Sequence, residues 1–363
     1  MADNPYQSLP EYCFWRRSIA NVAPASVDPV VRAKFRIKRS DRIATAGSCF
    51  AQEIARYLPG LGLRYLVSEP GPERLTPDER RRWQYGTFSA RYGNIYTTTQ
   101  WRQLFERATG RWQPQDDHWR AGDGRFVDPY RPTVEPGGYA TLDELRWDRE
   151  RHLAAVRRLM REASVFVFTL GLTESWRDKR DGAVFPLCPG CGYGSFDPER
   201  HAFHNLTVDE VVADLEACLR HLKAENPAVR LVLTVSPVPL VATMSGRHVL
   251  AATTYSKSVL RIAAETFVGA HADRCYFPSY EIITGAHARG RYFHDDLRAV
   301  TREGVEHVMR CFAGMLVEAP TVAAAAPPVA AAPDQRAQRR RAEALVSDVI
   351  CDEETLVQSY HAG

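Results

Sequence analysis

No apolar stretch in this chain approaches the ~18 residues that a membrane span needs, so no membrane-spanning segment is expected. The N-terminus, Met1-Ala2-Asp3-Asn4-Pro5, lacks a charged start running into an apolar segment, so no secretory signal is expected either. An excess of charge of one sign is also missing. Against 47 basic residues stand 44 acidic ones, a formal net charge of +3, which gives no reason to expect nucleic acid or an anionic membrane surface as a partner. The eight cysteines (Cys13, Cys49, Cys188, Cys191, Cys218, Cys275, Cys311 and Cys351) are too scattered for a disulfide scaffold, so free thiols and a cytoplasmic location are expected. There is no Walker A loop, no G-x-G-x-x-G, no nucleic-acid motif and no internal repeat, and no cofactor is expected. What remains is an ordinary globular composition, 45% hydrophobic and 25% charged, over a length that suits one large domain or two small ones.

Residues 1–40 read as an N-terminal arm packed on the core, broken by Pro5, Pro10, Pro24 and Pro29. The core runs over 41–317. Arg42 to Ala46 is a short β-prone run, and Phe50 to Leu58 follows with helical spacing, which places Gly47-Ser48 in a tight strand-to-helix turn. Residues 66–85 and 110–140 are polar and rich in Pro, Gly and charge, and are expected to decorate the core as insertions. Helices are expected over Leu142–Glu162, Val208–Ala224 (with Thr207-x-x-Glu210 as a capping box), Tyr255–Phe267 and Thr301–Leu316. Buried strands are expected over Ser164–Leu170, Arg230–Val235 and Cys275–Phe277. This alternation predicts an α/β fold with a mostly parallel sheet covered on both faces. Residues 318–334 read as an Ala/Pro linker, and 335–363 as a lone C-terminal helix or tail that docks on a protein partner or stays mobile.

A serine at the end of a first strand, just before a helix, sits at the carboxyl rim of the sheet, where open α/β folds bind ligands. Backbone N–H groups at the helix start can stabilise an oxyanion there. The competing reading of Ser48 is a plain N-cap.

The segment Thr45-Ala46-Gly47-Ser48-Cys49-Phe50-Ala51-Gln52 resembles the signature of the GSCFA domain family, a relative of the SGNH or GDSL-type hydrolases. Further matching pieces are Tyr92-Gly93-Asn94-Ile95-Tyr96-Thr97, Thr169 to Trp176, Ser236-Pro237-Val238, Ser256-Lys257-Ser258 and Tyr276 to Glu281. The resemblance implies a flavodoxin-like three-layer α/β/α sandwich in which Ser48 is the nucleophile of an acyl-ester hydrolase or O-acyltransferase. Its substrate would be an acylated carbohydrate or another small ester. Gly93 and Asn94 would join the Ser48 backbone N–H in the oxyanion hole, with Thr173 and Glu174 standing where the superfamily has Asn-Asp. The superfamily places Asp-x-x-His before its last helix. Here Asp296 takes the Asp position and Ala299 stands where the His should be. A serine without a base is a weak nucleophile at neutral pH, so His248 and His294 are the candidate bases, with Asp296 or Asp295 to orient one of them and His204 as a more distant third.

Two rival readings come from the same residues. The absent Asp-x-x-His also fits a catalytically degenerate module that binds a glycan or a protein. Cys188-Pro189-Gly190-Cys191, followed by His201 and His204, has the arithmetic of a zinc site, although the segment reads first as a Gly-rich loop. Trp83, Tyr85, Trp112 and Trp119 would line a sugar cleft or, as the plainer reading, pack the insertions.

Overall fold

In the computed structural model, which describes residues 4–318 and Asp352, strand β1 (Arg42–Gly47) leads into helix α1 (Phe50–Tyr57), and β2 (Arg64–Tyr65) follows. A short helix α2 (Pro77–Arg82) precedes α3 (Thr98–Ala108). The hairpin of β3 (Trp119–Arg120) and β4 (Phe126–Val127) comes before α4 (Leu142–Glu162) and β5 (Val165–Leu170). Strands β6 (Glu174–Asp178), β7 (Val184–Phe185) and β8 (His201–Asn205) pair antiparallel in a small sheet of their own. The chain continues through α5 (Val208–Glu225), β9 (Arg230–Val235), α6 (Val249–Val268), β10 (Arg274–Tyr276), α7 (Ser279–Thr284) and α8 (Arg302–Leu316).

The main sheet has five strands in the order β10-β9-β5-β1-β2, and every pairing in it is parallel. Counted along the chain this is 2-1-3-4-5, the flavodoxin-like doubly wound order, whose ligand crevice lies where the winding reverses, between β1 and β5. Alternation along the strands sorts the two cores. Phe166, Phe168, Leu231 and Leu233 face α3, α4, α5 and α6. Ile43, Val165, Val167 and Val232 face α1, α7 and α8. The expected three-layer sandwich is therefore present. Each fully buried phenylalanine contributes about 1.5–3 kcal/mol, and the Trp101 ring stacks on Phe168 with centroids 3.9 Å apart.

Local sequence explains the helix starts. Thr97 with Gln100, Thr141 with Glu144 and Thr207 with Glu210 form reciprocal capping boxes, the last as expected. Helix α6 begins at Val249, earlier than expected, because its first turn carries the exposed Val249 and Leu250 and so shows no apolar stripe. The sheet of β6, β7 and β8 was not expected. Its strands are short and half-buried, and the glycines and prolines between them mask the alternation. In the N-terminal arm, Val27 is buried and its carbonyl accepts a hydrogen bond from His307 at 2.8 Å. The expected linker and tail lie outside the described residues, apart from Glu318 and Asp352. No helix among the described residues is long and apolar enough to cross a membrane.

The insertions do more than decorate. Arg131, 3% exposed, bonds Asp128 at 3.0 Å and Asp148 of α4 at 2.6 Å. Arg91, equally buried, bonds Asp148 at 3.1 Å and Glu135 at 2.7 Å. These ion pairs clamp residues 83–94 and 128–135 onto α4, the arrangement that carries Asn94 and Thr133 to the sheet rim.

Candidate active site

Beyond its two pairings with β2, the outer edge of β1 is covered by residues 89–95. Thr45 N–H donates to Ser89 Oγ at 2.9 Å, Tyr92 Oη donates to the Thr45 carbonyl, and Ile95 N–H donates to the Gly47 carbonyl at 2.8 Å. The strand edge is thus satisfied without another strand, and Asn94 is set beside the end of β1.

Gly47 ends β1 at φ +136°, and a Cβ there would lie 2.3 Å from the Thr169 carbonyl oxygen, so neither the conformation nor the space admits a side chain. Ser48 follows, 3% exposed. Its Oγ has no hydrogen-bond partner among the described residues. It is not the helix cap: Cys49 holds the N-cap position of α1, without a side-chain hydrogen bond. Gly171, at the end of β5, packs directly on Ser48. A Cβ on Gly171 would meet Ser48 Cβ at 2.8 Å and the Tyr96 carbonyl oxygen at 3.0 Å. Lys257, fully buried, donates to the Gly171 carbonyl at 2.7 Å and fixes this contact from α6. The Thr169 and Thr173 hydroxyls are also buried without partners among the described residues.

Gly93 turns at φ +70°, which glycine adopts freely, and Asn94 follows, 3% exposed. Gln52 of α1 donates to Asn94 Oδ1 at 3.2 Å, which fixes the amide so that Nδ2 points the other way. That Nδ2 donates at 2.9 Å to the carboxylate of Asp352. The other carboxylate oxygen accepts from Thr133 Oγ1 at 2.8 Å, and Gln84 Nε2 donates in turn to Thr133 Oγ1 at 3.0 Å. Asp352 N–H donates to Tyr96 Oη at 3.1 Å. Asp352 is 4% exposed. Burial pushes its carboxyl above the usual carboxylate range, against the hydrogen bonds from the Asn94 side chain, Thr133 and the Asn94 backbone.

Several expected site residues stand elsewhere. The Ser48 backbone N–H, expected in the oxyanion hole, donates to the Thr169 carbonyl at 3.2 Å instead, as the last rung of the β1–β5 pairing. His248 is exposed and caps α6, its Nδ1 accepting from Leu250 N–H at 3.2 Å. His294 is exposed, and its backbone N–H donates to the Ala299 carbonyl. Asp296 accepts from the Arg298 and Ala299 N–H groups at 3.0 Å each, which turns its carboxylate toward its own loop. His204 bonds Glu210 at 2.8 Å. None of these histidines is hydrogen-bonded to Ser48. Glu174 accepts from Thr243 Oγ1 at 2.6 Å and holds the loop after β9. Thr173 is fully buried, its N–H bonded to Ser256 Oγ at 3.1 Å.

Leu172 and Tyr96, neighbours of the Ser48–Gly171 contact, also line a largely apolar cavity of about 200 Å³ with Trp176, Phe203, Leu240 and Met244. Trp119 is packing, its ring tilted against Phe185 with centroids 4.9 Å apart, and Tyr85 lies under the Arg91 guanidinium at 4.6 Å. The zinc arithmetic is not realised. Among the described residues, the grouping of metal-binding side chains is Asp116, Asp178 and His201, without Cys188, Cys191 or His204. Arg180 and Arg200 already occupy that grouping, each bonding Asp116 at 2.5 Å. Burial, with Cys191 beside it, pushes the Cys188 thiol up to about 12.

A family model described as the GSCFA family matches residues 42–312. The chain belongs to the GSCFA family. A family 3 carbohydrate esterase from Clostridium thermocellum is a similar solved structure, at 10% identity and a TM-score of 0.30, covering 77% of this chain and 95% of that one. Among curated proteins none matches. Within this GSCFA chain, Ser48, Gly93 and Asn94, named from sequence, lie together at this rim. Thr133 and Asp352 were passed over. Gln52, Lys257 and Tyr96 were quoted as parts of motifs without being given a role.

Proposed function

We propose that this GSCFA protein performs acyl-ester chemistry at Ser48, as a hydrolase or O-acyltransferase acting on an acylated carbohydrate or another small ester. The observation that carries this reading is a buried, unpartnered Ser48 hydroxyl at the reversal point of a 2-1-3-4-5 sheet, on the same rim as an Asn94 amide whose N–H groups already serve a carboxyl group. In the reaction, Ser48 Oγ attacks the acyl carbonyl as its proton passes to water, the carbonyl oxygen takes negative charge, and collapse of the adduct breaks the ester C–O bond, releasing the alcohol, reprotonated by water, and leaving an acyl-Ser48 that water or an acceptor hydroxyl then cleaves. Asn94 donates to the carbonyl oxygen through its side chain and backbone, held in register by Gln52. The apolar cavity beside Leu172 and Tyr96 receives the acyl or leaving group.

Labelling with a fluorophosphonate, located by mass spectrometry, tests this. Modification at Ser48, lost on unfolding and in Ser48→Ala, is the expected result. A folded chain that is labelled elsewhere or not at all refutes it.

One observation favours the binding-module reading as a second choice. No histidine among the described residues is hydrogen-bonded to Ser48, and a hydroxyl without a base has little nucleophilicity. Unlabelled but folded protein that retains a glycan in a binding screen is the result that reading expects.

A further inference from the structure

Asp352 is the one described residue beyond Glu318, yet it is among the more completely buried carboxylates of the chain. It lies against Asn94, Thr133 and Tyr96, which come from two separate loops of the core, and each makes a specific hydrogen bond with it. A carboxylate is planar, with two acceptor oxygens. Here Asn94 Nδ2 serves one oxygen and Thr133 Oγ1 the other, at 2.9 and 2.8 Å. Neither donor is there by chance. Gln52 sets the direction of the Asn94 amide, and Gln84, buried at φ +56°, donates to Thr133 Oγ1, leaving that hydroxyl's own proton for the carboxylate. The Asp352 backbone is held as well, through Tyr96 Oη.

We propose that Asn94, Thr133 and Tyr96 form a carboxylate-binding subsite whose occupant is this chain's own Asp352, which competes with an ester for Asn94. The competition rests on the reading of Asn94 as oxyanion donor. An ester oxygen that develops charge draws on the donors that the Asp352 carboxylate holds, the Asn94 backbone N–H and the Nδ2 hydrogen turned toward it, so the two compete for them. A role as the missing base fits the contacts less well. A base must accept the proton of Ser48 Oγ, and that hydroxyl is not bonded to Asp352.

The test uses the full chain and the variants Asp352→Ala and Asp352→Asn, with two readouts. Hydrogen exchange over residues 92–97 reports whether Asp352 is docked, and the rate of fluorophosphonate labelling at Ser48 reports whether the site is open. In Asp352→Ala, exchange rises and labelling accelerates by about tenfold or more, the net weight of the hydrogen bonds to the lost carboxylate, the backbone bond to Tyr96 being kept. Asp352→Asn, which keeps one acceptor oxygen, falls between. Unchanged exchange in Asp352→Ala overturns the proposal whatever the catalysis does. Raised exchange with labelling and ester turnover reduced tenfold or more in both variants also overturns it, and makes Asp352 a working group of the reaction. Raised exchange with no labelling in any chain leaves the subsite standing and removes the Ser48 esterase reading.

Discussion

Gly171 is the position where the geometry makes its sharpest demand. A Cβ at 171 would sit 2.8 Å from Ser48 Cβ and 3.0 Å from the Tyr96 carbonyl oxygen. Ordinary carbon contacts lie at about 3.5–4.0 Å, so Ser48 must yield by roughly 1 Å in Gly171→Ala. Two consequences separate. Overpacking of this kind costs about 1–3 kcal/mol of stability, read as a fall of about 2–5 °C in Tm for a domain of this size. A displacement of ~1 Å at a nucleophile lowers turnover by about 100-fold. The assay pairs thermal unfolding with the rate of fluorophosphonate labelling at Ser48. Gly60→Ala is the control, since a Cβ there meets nothing within 4 Å, and it leaves both readouts unchanged. Gly171→Ala protein that folds and labels at Ser48 within about threefold of wild type shows that the Ser48–Gly171 contact does not set the nucleophile.

Asn94→Ala lowers kcat by about 10²–10³ with the Ser48 hydroxyl intact, as loss of one preorganised oxyanion donor does. A kcat within a fewfold of wild type removes Asn94 from that role. Lys257→Met, which keeps the stem and loses the donor to the Gly171 carbonyl, lowers labelling at Ser48 while far-ultraviolet dichroism stays native. Unchanged labelling shows that the lysine does not position the rim. Burial disfavours the charged form of Asp128, but Arg149, Arg131 and Arg107 outweigh it and hold its carboxyl well below the usual range. With the folded pKa lowered, this stabilisation is complete above about pH 4, the unfolded value, and is lost as pH falls below it. Asp128→Asn therefore costs about 3–5 kcal/mol near neutrality and flattens the fall in stability below pH 4, which urea unfolding at several pH values measures. A profile as steep as wild type refutes the assignment. Cys188, with its thiol pushed up to about 12, is alkylated at neutral pH more slowly than the exposed Cys13, as peptide mass mapping shows. Faster modification of Cys188 contradicts the burial argument.

How much of this was legible depends on whether a feature is written in local sequence. Strand β5 is a run of Val165, Phe166, Val167 and Phe168, apolar on both faces because helices cover both faces, and a run of that kind announces a central parallel strand. Helices α4 and α5 announce themselves through Thr141 and Thr207 with a glutamate three residues on. Ser48 was legible for the same reason, since strand, glycine, serine and helix are contiguous. The residues that fix the rim around it are not. Lys257 reaches Gly171 across 86 positions, and a buried lysine looks in sequence like any surface lysine on a helix. Thr133 sits in a Pro- and Gly-rich segment that reads as decoration, because the ion pairs clamping it to α4 join residues distant in the chain.

Asp352 is the extreme case, and it bears on what the site is for. Nothing in an acidic residue beyond an Ala/Pro stretch signals burial, and charged residues so placed are ordinarily solvated. Its burial arises because Gln52 and Gln84 set two donors to face one carboxylate. That preorganisation is a property of the core alone. Gln52, Asn94, Gln84 and Thr133 are oriented by one another, by the φ +70° turn at Gly93 and by the clamps on α4, before any carboxylate arrives. A pocket so arranged has affinity for a planar group with two oxygen acceptors whichever molecule supplies it, and an ester or its carboxylate product is such a group. The contact that hides the site thus bears on its chemistry. If free carboxylates such as acetate protect residues 92–97 from exchange in Asp352→Ala, and fail to do so in Asp352→Ala carrying Asn94→Ala as well, the pocket recognises the group rather than the tail. Absence of protection at any acetate concentration that leaves the chain folded confines the pocket to its intramolecular ligand.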